Sequence, residues 1–156
     1  MFTRGCEFFY AAHCAVFSLP KKGRNMNSVI KNANGDTMGL ADVVARVVYA
    51  ETGARSLRVV EALTSMISNC AKKYGIDICD VISNTTMFES QQNKNVNIDS
   101  NARGFQMCVR TAIRMLHGNL PDMCYGATMF HRDDVLPQWA IARGYIADID
   151  GILFYV

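Results

Sequence analysis

The stretch LADVVARVVYAETG, residues 40–53, decides how the chain is read. Leu40, Val43, Val44, Val47 and Val48 fall at i, i+3, i+4, i+7 and i+8, which lines one face of an amphipathic helix. Asp36 or Thr37 ahead of it is suited to cap the first turn, and Gly53 behind it favours a left-handed stop. Glu51 follows Val47 by four residues and Val48 by three, so it carries the apolar stripe inward at the last turn. A carboxyl placed there loses water and meets the negative end of the helix dipole, and both effects favour its protonated form. That is the state a general acid requires near neutral pH. The competing reading ends the helix one residue earlier and swings Glu51 into solvent.

Working outward, a second helix is expected from about Ser56 to Tyr74. Val59, Val60, Leu63, Met66, Ile67 and Cys70 form its buried face, and Gly75 stops it. Asp77 to Ile82 reads as a short helix or turn. Residues 83–103 are rich in Asn, Ser and Gln and read mostly as loop, a length that is often functional inside a compact domain. A third long helix is expected over Ala102 to His117, with Phe105, Val109, Ala112 and Leu116 inward. Ala127 to Phe130 reads as a short strand, and Pro137 is expected to exclude a helix just after it. Residues 143–156 hold two β-rich runs around Asp150-Gly151, a hairpin turn. The sum is an α+β fold, mainly helical with a small C-terminal antiparallel β element.

At 156 residues the chain is long enough for one domain with a real core. Half of it is apolar, and the eight Phe, six Tyr and nine Met exclude a wholly disordered chain. The net charge of +2 comes from scattered Lys and Arg, not the clustered basic face of a nucleic-acid-binding domain. The six cysteines include no CxxC pair and no zinc-finger spacing to His, so no structural metal site is expected, and with no ligand cluster in the sequence no cofactor is suggested. Cys70, Cys79 and Cys108, set among apolar neighbours, read as small buried hydrophobes, with disulfides the alternative in an exported protein.

Residues 1–37 read as an N-terminal segment and linker, and 38–156 as the folded domain. Phe8 to Leu19 is fairly apolar behind Arg4, but Glu7 and His13 interrupt it and no cleavage site follows. It is too short to span a bilayer. A degenerate export signal, a weak anchor and a start placed too far upstream all fit.

The run Ala45-Arg46-Val47-Val48-Tyr49-Ala50-Glu51 resembles the opening motif of the SleB-type cell wall hydrolases, the family of the spore cortex-lytic enzymes. The resemblance continues to Ile67-Ser68-Asn69, then Ile78-Cys79-Asp80-Val81-Ile82 and Met87-Phe88-Glu89-Ser90. It returns at Gly118-Asn119-Leu120-Pro121-Asp122, Gly126-Ala127-Thr128-Met129-Phe130-His131, Val135 through Ala140, and Leu153-Phe154-Tyr155. The order and spacing of these segments cover about Leu40 to Val156.

The resemblance implies a lysozyme-like catalytic domain with its cleft beside the first helix. The implied activity is cleavage of peptidoglycan glycan strands between N-acetylmuramic acid and N-acetylglucosamine, as a lytic transglycosylase or muramidase. The family's acidic residue maps onto Glu51. Phe88, Ser90, Phe130, His131 and Trp139 match positions near the cleft and are the expected substrate-binding residues, since aromatic faces suit sugar rings. Core packing is the alternative for Phe130 and Trp139, and a plain structural hydrogen bond for His131. The implied setting is the cell envelope, periplasmic or extracellular. The expected partner is the glycan strand, met by a monomer with no nucleic acid and no stable membrane insertion.

Two departures bear on activity. Many members carry a second Glu four residues after the first, where this chain has Arg55; an arginine paired with Glu51 would favour its ionised form and weaken the acid. A His near the C-terminus of the family is replaced by Ile152. Glu89 is the stand-in for a second acid, and Glu61 is expected on a solvated helix face. A catalytically silent peptidoglycan-binding protein with the same fold is therefore the alternative.

Overall fold

The computed structural model describes residues 36–84, 86–88 and 97–156. The export-signal and linker readings, and the side chains of Glu89 and Ser90, lie outside the described residues. The helices are α1 (Asp36–Thr52), α2 (Leu57–Tyr74), α3 (Ile78–Ile82) and α4 (Arg103–Leu116). A small sheet follows, β1 (Met129–Arg132), β2 (Ala147–Ile149) and β3 (Ile152–Tyr155), with a 3-10 turn at Gln138–Ala140. Its order is β1-β3-β2, antiparallel throughout. The α+β class expected from the pattern is the one observed.

Burial explains each helix. On α1, Val44, Val47 and Val48 are at most 2 % exposed, and Ala41 and Ala45 join them, which moves the buried face and leaves Val43 46 % exposed at its edge. On α2 all of Val59, Val60, Leu63, Met66, Ile67 and Cys70 are buried. Ser56 caps that helix by accepting from the Val59 N–H at 3.3 Å, and Gly75, at φ +63, closes it in the left-handed region. The buried face of α4 runs through Phe105, Cys108, Ala112 and Met115, so Val109 and Leu116 end up half-buried.

Other expectations are corrected. Cys79 is exposed, because the five-residue α3 turns Val81 and Ile82 inward instead. Glu61 is not on a solvated face: α4 crosses α2 there, and Arg114 Nη1 donates to Glu61 Oε1 at 2.5 Å with the Glu61 side chain 13 % exposed. Pro137 heads the 3-10 turn; its fixed φ of −70° suits the residue that opens a helical turn. β1 starts at Met129 because the Ala127 N–H still closes a turn onto the Cys124 carbonyl at 3.0 Å. Cys124 and Cys108 are buried, and burial pushes the Cys108 thiol up to about 12, out of the reactive range.

The end of α1 is packed against the start of α4 at a position that tolerates no side chain. A Cβ on Gly104 would lie 2.9 Å from the Ala54 Cβ and 3.2 Å from Tyr49 Cε2. Ala54 Cβ is fixed to a backbone already at φ +48, so it has no rotamer to yield. Gly104→Ala gains roughly 1 kcal/mol of helix propensity but overpacks the contact by about 1–3 kcal/mol. A net loss of stability in a denaturant melt is the expected outcome.

A second fixed region is the loop from Pro121 to Ala127. The Asp122 carboxylate accepts from the Cys124 N–H (3.0 Å), the Gly126 N–H (2.5 Å), the Cys124 thiol (3.3 Å) and Asn69 Nδ2 (3.2 Å). Partial burial alone would raise this carboxyl, but the donors outweigh it and hold it below the usual carboxylate range. A carboxyl lowered by folding stabilises above its unfolded pKa, and that stability is lost as the pH falls through the folded value. Thermal melts of Asp122→Asn should therefore show lower stability at neutral pH and a shallower decline toward acid than the wild type.

Candidate functional site

Glu51 lies in the last turn of α1 and is 4 % exposed, in line with the buried Val44, Val47 and Val48. The helix does not end early, as the competing reading required. Thr52 Oγ1 donates to the Val48 carbonyl at 2.6 Å and accepts from the Ala54 N–H at 3.1 Å, which ties off the helix end. Gly53, at φ +60, and Ala54 then turn the chain sharply into α2.

That turn sets the direction of Arg55. Its Nη1 donates to the Asp150 carbonyl at 2.7 Å, and the neighbouring Ser56 hydroxyl donates to Asp150 Oδ2. Asp150 and Gly151, at φ +51 and +78, form the type I′ turn of the β2–β3 hairpin. A Cβ on Gly151 would meet both Asp133 Oδ2 (2.8 Å) and Arg55 Nη1 (3.1 Å), so a larger residue would push these side-chain ends off the turn. Arg55 thus acts as a clamp between the α1–α2 corner and the sheet. The hairpin is held four residues along the chain from Glu51.

The remaining expected residues separate into two groups on opposite faces of the sheet. Phe88 and Phe130 are buried in the main core with ring centroids 5.5 Å apart, alongside Ile152 and Phe154. Ile152 is fully buried there. On the other face, His131 and Trp139 gather around Tyr155, with Trp139–Tyr155 centroids 5.1 Å apart and His131–Trp139 5.8 Å. His131 Nδ1 lies 2.7 Å from the Arg132 carbonyl and Nε2 lies 2.9 Å from the Tyr155 hydroxyl. A carbonyl only accepts, so Nδ1 carries a proton and donates to it, while Nε2 and the Tyr155 hydroxyl share the second hydrogen bond. Burial, and then Tyr145, push the Tyr155 hydroxyl above its ordinary value, which keeps it a donor at neutral pH. Ser90 lies outside the described residues.

Tyr155 is the member of this cluster that sequence reasoning did not single out as a site residue. The period-two alternation of β3 would have placed it with Leu153, opposite Ile152 and Phe154. The register pairs Met129 with Tyr155 and His131 with Leu153, so His131 and Tyr155 meet on the diagonal. No group of three or more His, Cys, Asp or Glu able to hold a metal occurs among the described residues.

In comparison with known proteins, the family model described as Cell Wall Hydrolase matches residues 60–155. The match spans α2 through β3 and begins after Glu51. No curated protein and no solved structure gives a significant match.

Proposed function

Because the chain belongs to the cell wall hydrolase family, whose domain supports degradation of peptidoglycan, we propose that it cleaves the glycan strands between N-acetylmuramic acid and N-acetylglucosamine. Residues 38–156 form the catalytic unit, and Glu51 is the general acid and base. The observation that carries this reading is a carboxylic acid buried to 4 % exposure at the end of α1, beside a hairpin clamped by Arg55. A site shielded from bulk water passes its proton to a bound oxygen without losing it to solvent.

Glu51 donates its proton to the glycosidic oxygen as the bond to the muramoyl C1 breaks. The resulting carboxylate then takes the proton of the muramoyl 6-hydroxyl, whose oxygen attacks C1 and closes a 1,6-anhydro ring. Glu51 ends as it began, protonated, and one carboxyl serves both steps. The second carboxylate of a standard glycosidase pair is not needed on this route. Water in place of the 6-hydroxyl gives the muramidase outcome. Phe88 and Phe130 support the substrate surface from within the core, while Trp139, backed by His131 and Tyr155, and Ser90 contact sugar.

The engagement of Arg55 at the hairpin supports an active enzyme over a silent binding protein. Action in the cell envelope, as a monomer, accords with a peptidoglycan substrate. Among the described residues no helix is long and apolar enough to cross a membrane.

The test is digestion of purified peptidoglycan, with released muropeptides read by mass. Anhydro-muropeptides are the expected product. Reducing ends would make the protein a muramidase, and wall binding without release would leave the silent reading in possession.

A further inference from the structure

Tyr125 combines two properties that rarely occur together: its backbone lies at φ +56 and its side chain is 71 % exposed. A bulky residue is an outlier in this region, and glycine would occupy it at lower cost. The conformation is imposed from both sides. One carboxylate, Asp122, accepts the N–H of Cys124 before it and of Gly126 after it. The loop is in turn fastened to α2. Asn69 Nδ2 reaches Asp122 at 3.2 Å and the Ala127 carbonyl at 3.2 Å, and Ser65 Oγ bonds the Pro121 carbonyl at 3.1 Å and the Met123 N–H at 3.2 Å.

The ring contributes little to the core that this network serves, since most of it faces solvent. What the position achieves is presentation of a tyrosine, rigidly, on a strained loop, and strain of this kind collects at ligand clamps. We propose that Tyr125 is a stacking platform for a sugar ring of the glycan strand, a binding subsite remote from Glu51. The proposal rests on the peptidoglycan reading above. An exposed tyrosine offers a flat apolar face and a hydroxyl at its edge, matching the apolar C–H face and hydroxyl rim of a pyranose. It does so with few rotatable bonds, so little conformational freedom is lost on binding.

Placement favours a polymer. The α1–α2 corner that follows Glu51 meets the sheet at Ser56, and the Tyr125 loop is tied to Asn69 farther along α2. Thirteen helical residues separate these anchors, about 20 Å along the axis. A monosaccharide could not span that length, so the occupant we infer is an extended glycan strand.

Peptide-free glycan strands prepared from purified peptidoglycan are the probe, with binding measured in a Glu51→Gln background so that nothing is cut. Adding Tyr125→Ala or Tyr125→Gly should weaken binding about threefold to tenfold, and Tyr125→Trp should retain it. Glycine accepts the positive φ, so the melting temperature of the Tyr125→Gly protein should not fall, which separates lost contact from lost fold. Unchanged binding in the Ala and Gly variants, with the parent binding normally, overturns this inference and leaves the proposed activity standing. A parent that neither binds glycan nor, with Glu51 restored, cuts it overturns both.

Discussion

Glu51→Gln is expected to lower glycan cleavage about a hundredfold to ten-thousandfold, the usual range for loss of a positioned proton donor. Glutamine has nearly the same shape and needs no charge at a site that is 4 % exposed, so the fold should persist. It cannot give a proton to the glycosidic oxygen, nor take one from the muramoyl 6-hydroxyl. Both halves of the proposed route therefore fail at one substitution. The measurement is the rate of muropeptide release from purified peptidoglycan, with wall binding and a thermal melt run in parallel. Activity near the wild-type level in a folded Glu51→Gln protein would remove Glu51 from the chemistry.

Phe88→Ala should cost about 3–5 kcal/mol of stability, the range for emptying a buried aromatic position. Phe88 has no exposed surface and packs on Phe130 below the sheet, where the surrounding Ile152 and Phe154 are themselves fully buried. Little there is free to collapse into the space. For a chain of this size the melting temperature should fall by roughly 10 °C. Phe88 belongs to the expected substrate-binding set, and this variant separates two ways of serving it. A side chain that supports the site through packing lowers stability first, and activity falls with the folded fraction. A side chain that mainly contacts sugar would raise KM with the melting temperature unchanged.

The helices were legible because their apolar residues recur at the helical period over many turns. The α1 stripe placed Glu51 inward from spacing alone, and the alternating runs around Asp150-Gly151 gave the hairpin. Boundaries and faces were less legible where an element is short. In the five-residue α3 a shift in phase of one residue decides whether Cys79 is buried, and a local pattern that brief fixes no phase. β1 is displaced from its expected start because the turn closing on Cys124 competes with the ladder.

The sequence by itself determined the α+β class, the core face of α2 and most of that of α1, and it put Glu51 in line with the apolar stripe at the end of α1. Each of these depends on residues near one another along the chain, where period and capping chemistry act. The tertiary structure alone decided the partners of Arg55, Asp122 and His131. Arg55 reaches a carbonyl 95 residues away, Asn69 meets Asp122 across 53, and His131 finds Tyr155 across 24. Such pairs are set by how helices and sheet pack, which brings groups far apart in the sequence within hydrogen-bond reach. Spacing in the sequence carries no record of that choice.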